Sequence, residues 1–245
     1  MKKITVILIF LIAFHNLPAQ TFKIFKGDTI NRVDSKGMKQ GLWRKYYSTD
    51  TLFSEGYFKN NIHTGTFNTY HKNGKIQSIL KFRGTTEISK AELFYDSGKI
   101  MSKGKYIDHT KDSLWIYFDE DGFKNAEEFY KNGKKEGTWK IFYHNGKPSR
   151  IVMYKSDKKN GPFKEFFESG SPKIDALMKD DEFEGIVKIY HPNGKLWQSG
   201  NYSKGLKEGS WKTNLDDGSQ DKEEIYKKGV LTNTLLNLKR NKCTL

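Results

Sequence analysis

Six histidines, one cysteine and 29 acidic residues are the groups through which this 245-residue chain could do metal, nucleophilic or acid–base chemistry. Their spacing supports none of the three. His71 and His191 occupy equivalent places in two turn-like stretches, and His144 sits one position later in a third. A zinc site needs paired Cys, His or carboxylate ligands at short spacing, and these histidines have no such companions. Asp119-Glu120-Asp121-Gly122 carries carboxylates and a glycine. It lacks the alternating ligands and downstream glutamate of a calcium loop, so it reads as a turn. No Gly-x-Ser-x-Gly elbow presents a nucleophile, and no glycine-rich stretch lies between a strand and a helix to cradle a phosphate. Cys243 stands alone, which rules out a disulfide within the chain. The sequence therefore predicts no enzyme, no catalytic residue, no metal and no cofactor. What recurs instead is Lys75, Lys99, Lys147 and Lys195, each following a turn glycine. Such lysines are candidate anion-binding groups, or solvated residues that protect strand ends.

These residues are positioned by a unit of 24 residues that repeats without a slip. One column of it reads Gly74, Gly98, Gly122, Gly146, Gly170, Gly194 and Gly218. A second reads Gly41, Gly65, Ser89, Ser113, Gly137, Gly161, Gly185 and Gly209. Two residues further come Trp43, Phe67, Ala91, Trp115, Trp139, Phe163, Val187 and Trp211, and three beyond those a mostly aromatic column from Tyr46 to Tyr190 that ends in Asn214. Another begins at Phe58 and includes Tyr106, Tyr130, Tyr154, Tyr202 and Tyr226. A fixed period of this length signals a repeat array. Each unit holds two short runs rich in aromatic and β-branched residues around a turn such as His144-Asn145-Gly146-Lys147. Asn-Gly between strand-like runs predicts a hairpin whose turn needs positive φ at both residues. A second link, such as Asn132-Gly133-Lys134-Lys135-Glu136-Gly137, leads to the next hairpin.

The pattern Gly-x-Trp/Phe-x-x-Tyr/Phe, a turn closing in Asn-Gly-Lys, then an aromatic and Asn-Gly-Lys-x-x-Gly resembles the variant MORN repeat over about residues 37–229. That repeat is found in bacterial proteins labelled YwqK-like antitoxins. Ser89, Ala91, Ser113 and Asn214 depart from the pattern. The resemblance implies an all-β fold: an elongated array of about eight β-hairpins in a single-layer, solenoid-like antiparallel sheet with short terminal caps. It also implies an interaction role and brings no catalytic residues.

Residues 1–19 begin Met1-Lys2-Lys3, continue through an apolar run from Ile4 to Phe14 and end in Ala19. This predicts a secretory signal peptide cut after Ala19, hence export to the periplasm or beyond, and not a transmembrane anchor, for which the run is too short. Residues 20–40 read as an N-terminal cap holding a decayed repeat, residues 41–228 as the eight units, and residues 229–245 as a C-terminal cap and basic tail. Leu231, Leu235, Leu236 and Leu238 predict a short helix or strand folded over the last hairpin. A terminal edge left bare would offer its backbone to another chain.

The chain is 36% hydrophobic and 29% charged, less apolar than a compact domain of this length. That fits a thin array whose core is a ladder of rings from the columns of Trp43, Tyr46 and Phe58, like rings stacking on like from unit to unit. Trp139, mid-array, is then expected to matter more for stability than Trp211 near the end. The formal net charge of +14 becomes +12 once Lys2 and Lys3 leave with residues 1–19. Such a balance admits an acidic protein, an anionic lipid or a glycan as partner. Export and the absence of a groove-reading motif disfavour nucleic acid. Three functions remain: an exported protein-binding or scaffold module, a surface-adhesion module for anionic lipid or cell-wall glycan, and an antitoxin or immunity protein that neutralises a toxin by binding it. The sequence leaves the partner and the oligomeric state open.

Overall fold

The computed structural model describes residues 20–25, 27–84 and 86–236. The signal-peptide reading of residues 1–19, the lone Cys243 and the basic tail lie outside them. Every described element is a β-strand or a turn, and 21 antiparallel strands form one open sheet. Strands pair in chain order, from Thr21–Phe25 with Asp28–Val33 at one end to Gln220–Lys227 with Val230–Leu236 at the other. The terminal strand Val230–Leu236 is exposed along its whole length. It lies beside the last hairpin, where its backbone finds ladder partners, and does not fold over it.

Two kinds of turn alternate, and they divide the labour differently from what Asn-Gly predicts. In Tyr143-His144-Asn145-Gly146-Lys147 the Gly146 N–H donates to the Tyr143 carbonyl, and the Tyr143 N–H to that of Lys147. This is a three-residue loop ending in a glycine bulge. Only the glycine takes positive φ there, between 80° at Gly146 and 93° at Gly170 along the column. Asn145 serves through its side chain, whose Oδ1 accepts from the Lys147 N–H at 2.9 Å. The tight turns with both residues left-handed fall in the other link, at Asn60–Asn61, Asn132–Gly133, Asp180–Asp181 and Lys204–Gly205 among others. Each link is therefore itself a hairpin, and the sheet is a continuous meander.

The second glycine column is a bulge column, with Gly41, Gly65, Gly137, Gly161, Gly185 and Gly209 all at positive φ. Ser113 keeps that conformation at φ 61° without being glycine. A left-handed side chain there costs about 1 kcal/mol or more, so Ser113→Gly is expected to raise stability by about that amount in chemical denaturation. An unchanged or lowered midpoint would count against it. Ser89 instead is ordinary extended strand, and Ile76–Phe82 pairs with Ile88–Phe94 without a register shift. Unit 3 has moved its extra residue into the longer loop closed by the Arg83 N–H on the Ile88 carbonyl.

The ring columns do not form one core. Trp43 is paired with Gly56 and Arg44 with Glu55, and alternate residues of a strand face opposite sides. The Tyr70 hydroxyl donates to the Glu55 carboxylate at 2.7 Å, which puts the Tyr46 column on the Arg44 side. The Trp43 and Phe58 columns share the other side, here termed the inner face. Nor do like rings stack on like. Members of one column are two strands, roughly 9.6 Å, apart, so the ladder zigzags between columns, as in Phe163–Phe183–Tyr202–Trp211–Tyr226 with centroids 5.0–6.4 Å apart. Trp115 and Trp211 are fully buried, and Trp43 and Trp139 half-buried.

The strand before each ring explains the difference. A Cβ at Gly104 would lie 2.3 Å from the Trp115 indole, and one at Gly200 2.2 Å from that of Trp211. Those glycines let an indole lie flat on the backbone. Opposite Phe163 stands Val152 and opposite Ala91 Leu80, and the pairing of Asp175 with Lys188, carried one residue on, sets Ala176 against Val187. In these pairs a larger residue meets a smaller one, and unit 3 reverses which strand supplies it.

Candidate functional site

The turn edge is built from residues that sequence left as candidate ligands or solvated surface. Lys75 Nζ donates to the Ser97 carbonyl, Lys99 to Glu120, Lys147 to Ser169 and Lys195 to Asp217, at 2.5–2.9 Å. Each lysine thus ties its turn to the next, and its stem runs over the following glycine: Lys147 Cδ comes within 3.1 Å of where a Cβ on Gly170 would sit. They are exposed, yet they are not free. His71 and His191 place Nε2 3.0 and 3.1 Å from the carbonyls of Phe94 and Asn214. Tyr95 and Tyr143 make the same bond by hydroxyl to Phe118 and Phe166. These histidines hold repeats together. Asp119 accepts from the Asp121 and Phe123 N–H groups, as a turn residue does. Among the described residues no cluster of His, Cys, Asp or Glu is arranged to hold a metal ion.

On the inner face a column unremarked in the sequence carries the distinctive chemistry: Lys39, His63, Glu87, Lys111, Lys135, Lys159, Phe183 and Lys207. The Lys111 ammonium lies 4.8, 5.0 and 5.2 Å from the ring centres of Trp115, Tyr117 and Tyr130. Lys39, Lys135 and Lys207 each lie 4.2–5.2 Å from a Trp and a second ring. A cation over two ring faces is stabilised by their quadrupoles. Burial holds the pKa of Lys111 and Lys207 below the ordinary value, with Glu128 and Glu224 respectively acting in the opposite sense. Burial, followed by the hydrogen bond to Glu128, pushes Tyr130 up to about 12, and burial pushes Tyr117 higher still. The 24-residue spacing of these lysines was legible in the sequence; that each ammonium reaches a second ring was not, because Phe58, Tyr130, Tyr154 and Tyr226 are supplied by the neighbouring strand.

Three members depart from lysine in ways that matter. Phe183 packs between Phe163 and Tyr202. His63 packs on Phe58, Phe67 and Phe82, lying parallel to the last at 4.9 Å. Glu87 lines a cavity of about 240 Å³ with Ser78, Phe82, Tyr106 and His109, in the unit where Ala91 has replaced the ring. Its Oε2 lies 3.7 Å from His63 Nδ1 and 3.5 Å from His109 Nε2. Both Oε2 and Nδ1 are buried without a hydrogen bond. Unpaired buried polar atoms are few in native folds; Trp43 Nε1 and Ser102 Oγ are others, but only here do a carboxylate oxygen and a ring nitrogen lie unpaired side by side among the described residues.

Burial is the first cause that lowers the His63 pKa; Glu87 opposes it, while His109 and Lys39 reinforce it. The folded state then binds fewer protons than the unfolded chain. This contribution to stability is complete above pH about 6.5 and is lost as pH falls toward the folded pKa. His63→Phe, which installs the side chain of Phe183, is expected to flatten the fall of the melting temperature between pH about 7.5 and 5. Parallel pH profiles for the two proteins would refute it.

The outer face carries a row of apolar side chains next in sequence to inner-face residues. Leu114, Phe129, Met153, Leu177 and Ile186 are 40–63% exposed. Leu114 pairs with Phe129, Met153 with Thr138 and Leu177 with Pro162, so the row runs across consecutive strands. Lys140, Lys164, Lys188 and Lys212 lie two residues along, on the same face. The first two pair with Glu127 and Asp175 at 3.6 and 3.7 Å.

Comparison with known proteins agrees with this architecture at the level of the repeat. The model of the MORN repeat variant matches residues 39–60, 64–83, 90–108, 135–156 and 183–204. No curated protein matches the chain. Among solved structures, a porin-like protein from Bacteroides uniformis ATCC 8492 aligns at 10% identity over 80% of this chain and 96% of that one. Its TM-score of 0.20 gives that likeness no weight. No described helix is long and apolar enough to cross a membrane. At five positions, then, this chain matches the MORN repeat variant, and the strands there belong to one open antiparallel sheet.

Proposed function

We propose that this chain is an exported, non-catalytic binding or scaffold protein that holds a protein partner against the outer face of its sheet. The observation that carries the reading is the exposed row Leu114, Phe129, Met153, Leu177 and Ile186. Apolar side chains in continuous register are an interaction surface more often than a solvent surface. The lysine row beside it, where Lys188 and Lys212 have no ion pair among the described residues, favours a partner that brings an apolar strip edged with carboxylates. Toxin neutralisation is one form of that reading.

Capture from an envelope fraction, with residues 20–245 as bait, tests it. Leu177→Glu with Ile186→Glu is expected to abolish capture of the partner while leaving the melting temperature nearly unchanged. Equal recovery by wild type and variant would refute the outer-face reading. A second reading, adhesion to anionic lipid or glycan, is favoured by the four exposed turn lysines, whose ammoniums keep donors beyond the one given to a carbonyl. For that reading, Lys75, Lys99, Lys147 and Lys195 replaced together by Ser should weaken binding to anionic vesicles, with wild-type binding falling as salt rises.

A further inference from the structure

We propose that the cavity in unit 3 is a binding site for an organic ammonium group, taking the place of the lysine that this unit lacks. The protein supplies the template four times over. Lys39, Lys111, Lys135 and Lys207 each set an ammonium against rings of the inner face, and at Lys111 and Lys207 a carboxylate, Glu128 or Glu224, stands close by. In unit 3 the arrangement is altered: Ala91 stands where the indole would, Gly104 stands in the place of Glu128 and Glu224, and Glu87 occupies the lysine's own column. Tyr106 remains, Phe82 lines the cavity beside it, and Glu87 brings a carboxylate for which no ammonium is supplied.

The state of Glu87 strengthens the case. Its buried Oε2 accepts no hydrogen bond, although the nitrogens of His63 and His109 stand within ion-pair reach at 3.7 and 3.5 Å. Burial holds His63 toward its neutral form, so it does not supply the missing charge. His109, with 69% of its side chain exposed, stands at the rim, where a ligand can displace it. A volume of about 240 Å³ fits a small alkylammonium or the end of a lysine side chain, and is too small for a nucleotide. An ammonium placed there would donate to Glu87 Oε2 and lie against two ring faces, meeting an orphaned acceptor and a cation–π site at once. Because the cavity is on the inner face, this proposal stands or falls separately from the outer-face reading.

The test is titration of the folded chain with n-butylammonium and, separately, with an Nα-acetyl-lysine amide, followed by the side-chain NMR signals of His63 and His109 at pH about 8. Saturable binding of at least one probe at low millimolar concentration is expected. Glu87→Gln should weaken it at least tenfold, and Glu87→Lys, which restores the column's own ammonium, should abolish it while preserving the melting temperature. Preference for the acetyl-lysine amide would assign the site to a side chain of a protein; preference for butylammonium would assign it to a free amine. No saturable binding of either probe by wild type would overturn the proposal, as would binding that Glu87→Gln leaves unchanged.

Discussion

Trp211→Ala removes about 3–5 kcal/mol of stability, and Trp139→Ala removes markedly less. Trp211 has no exposed surface. Its indole lies on the backbone of Gly200, between Tyr202 and Tyr226, with the Lys207 ammonium 4.2 Å from the ring centre. Its N–H donates to the Asn201 carbonyl at 3.1 Å. Truncation leaves a cavity that a glycine opposite cannot fill, and a backbone carbonyl without its partner. Trp139 has two ring neighbours as well, Tyr130 and Tyr154, and the equivalent bond to Phe129. Opposite it, however, stands Glu128 instead of glycine, and the indole remains half-exposed. Position along the array, which favours Trp139, is therefore outweighed by depth. Thermal melts of the two variants decide the matter, and equal losses or the reverse order would show that array position governs.

Gly200→Val is expected to destabilise by about 1–3 kcal/mol, with Trp211→Phe in the same chain recovering a large part of the loss. A Cβ at Gly200 would come 2.2–2.5 Å from three atoms of the indole, which has nowhere to move. The double variant recreates the Val152–Phe163 pair that unit 6 already uses, where Phe163 is 8% exposed and Val152 5%. The signature is non-additivity: the two substitutions together should cost well under the sum of their separate costs, since they share one contact. Additive losses in a double-mutant cycle would mean that the size exchange between strands is not what sets ring depth.

The sequence by itself determined the period, the all-β class and the places where the chain turns. Each of these is a local property, set by glycine and asparagine at fixed spacing and by rings on alternating strands, which need no distant contact to be recognised. It also showed that unit 3 was irregular, through Ser89 and Ala91. Which turn carries two left-handed residues was decided by tertiary pairing. Strand register put the tight turns at Asn132–Gly133 and its equivalents and left Asn145 to act through its side chain.

Facing was legible from alternation, which sets Lys111 on the side of Trp115, four residues on, and Tyr46 opposite Trp43, three on. Which second ring each ammonium reaches, Tyr130 for Lys111, was decided by strand pairing. Ring depth depends on a residue about eleven positions upstream, Gly104 or Gly200 in one unit and Glu128 in another, which only strand pairing brings opposite. The candidate site is the extreme case. Glu87, His63 and His109 are 24 and 22 residues apart in the chain and meet because three consecutive hairpins stack their inner faces. A side-chain cluster assembled across repeats is a property of the sheet, and no single unit contains it.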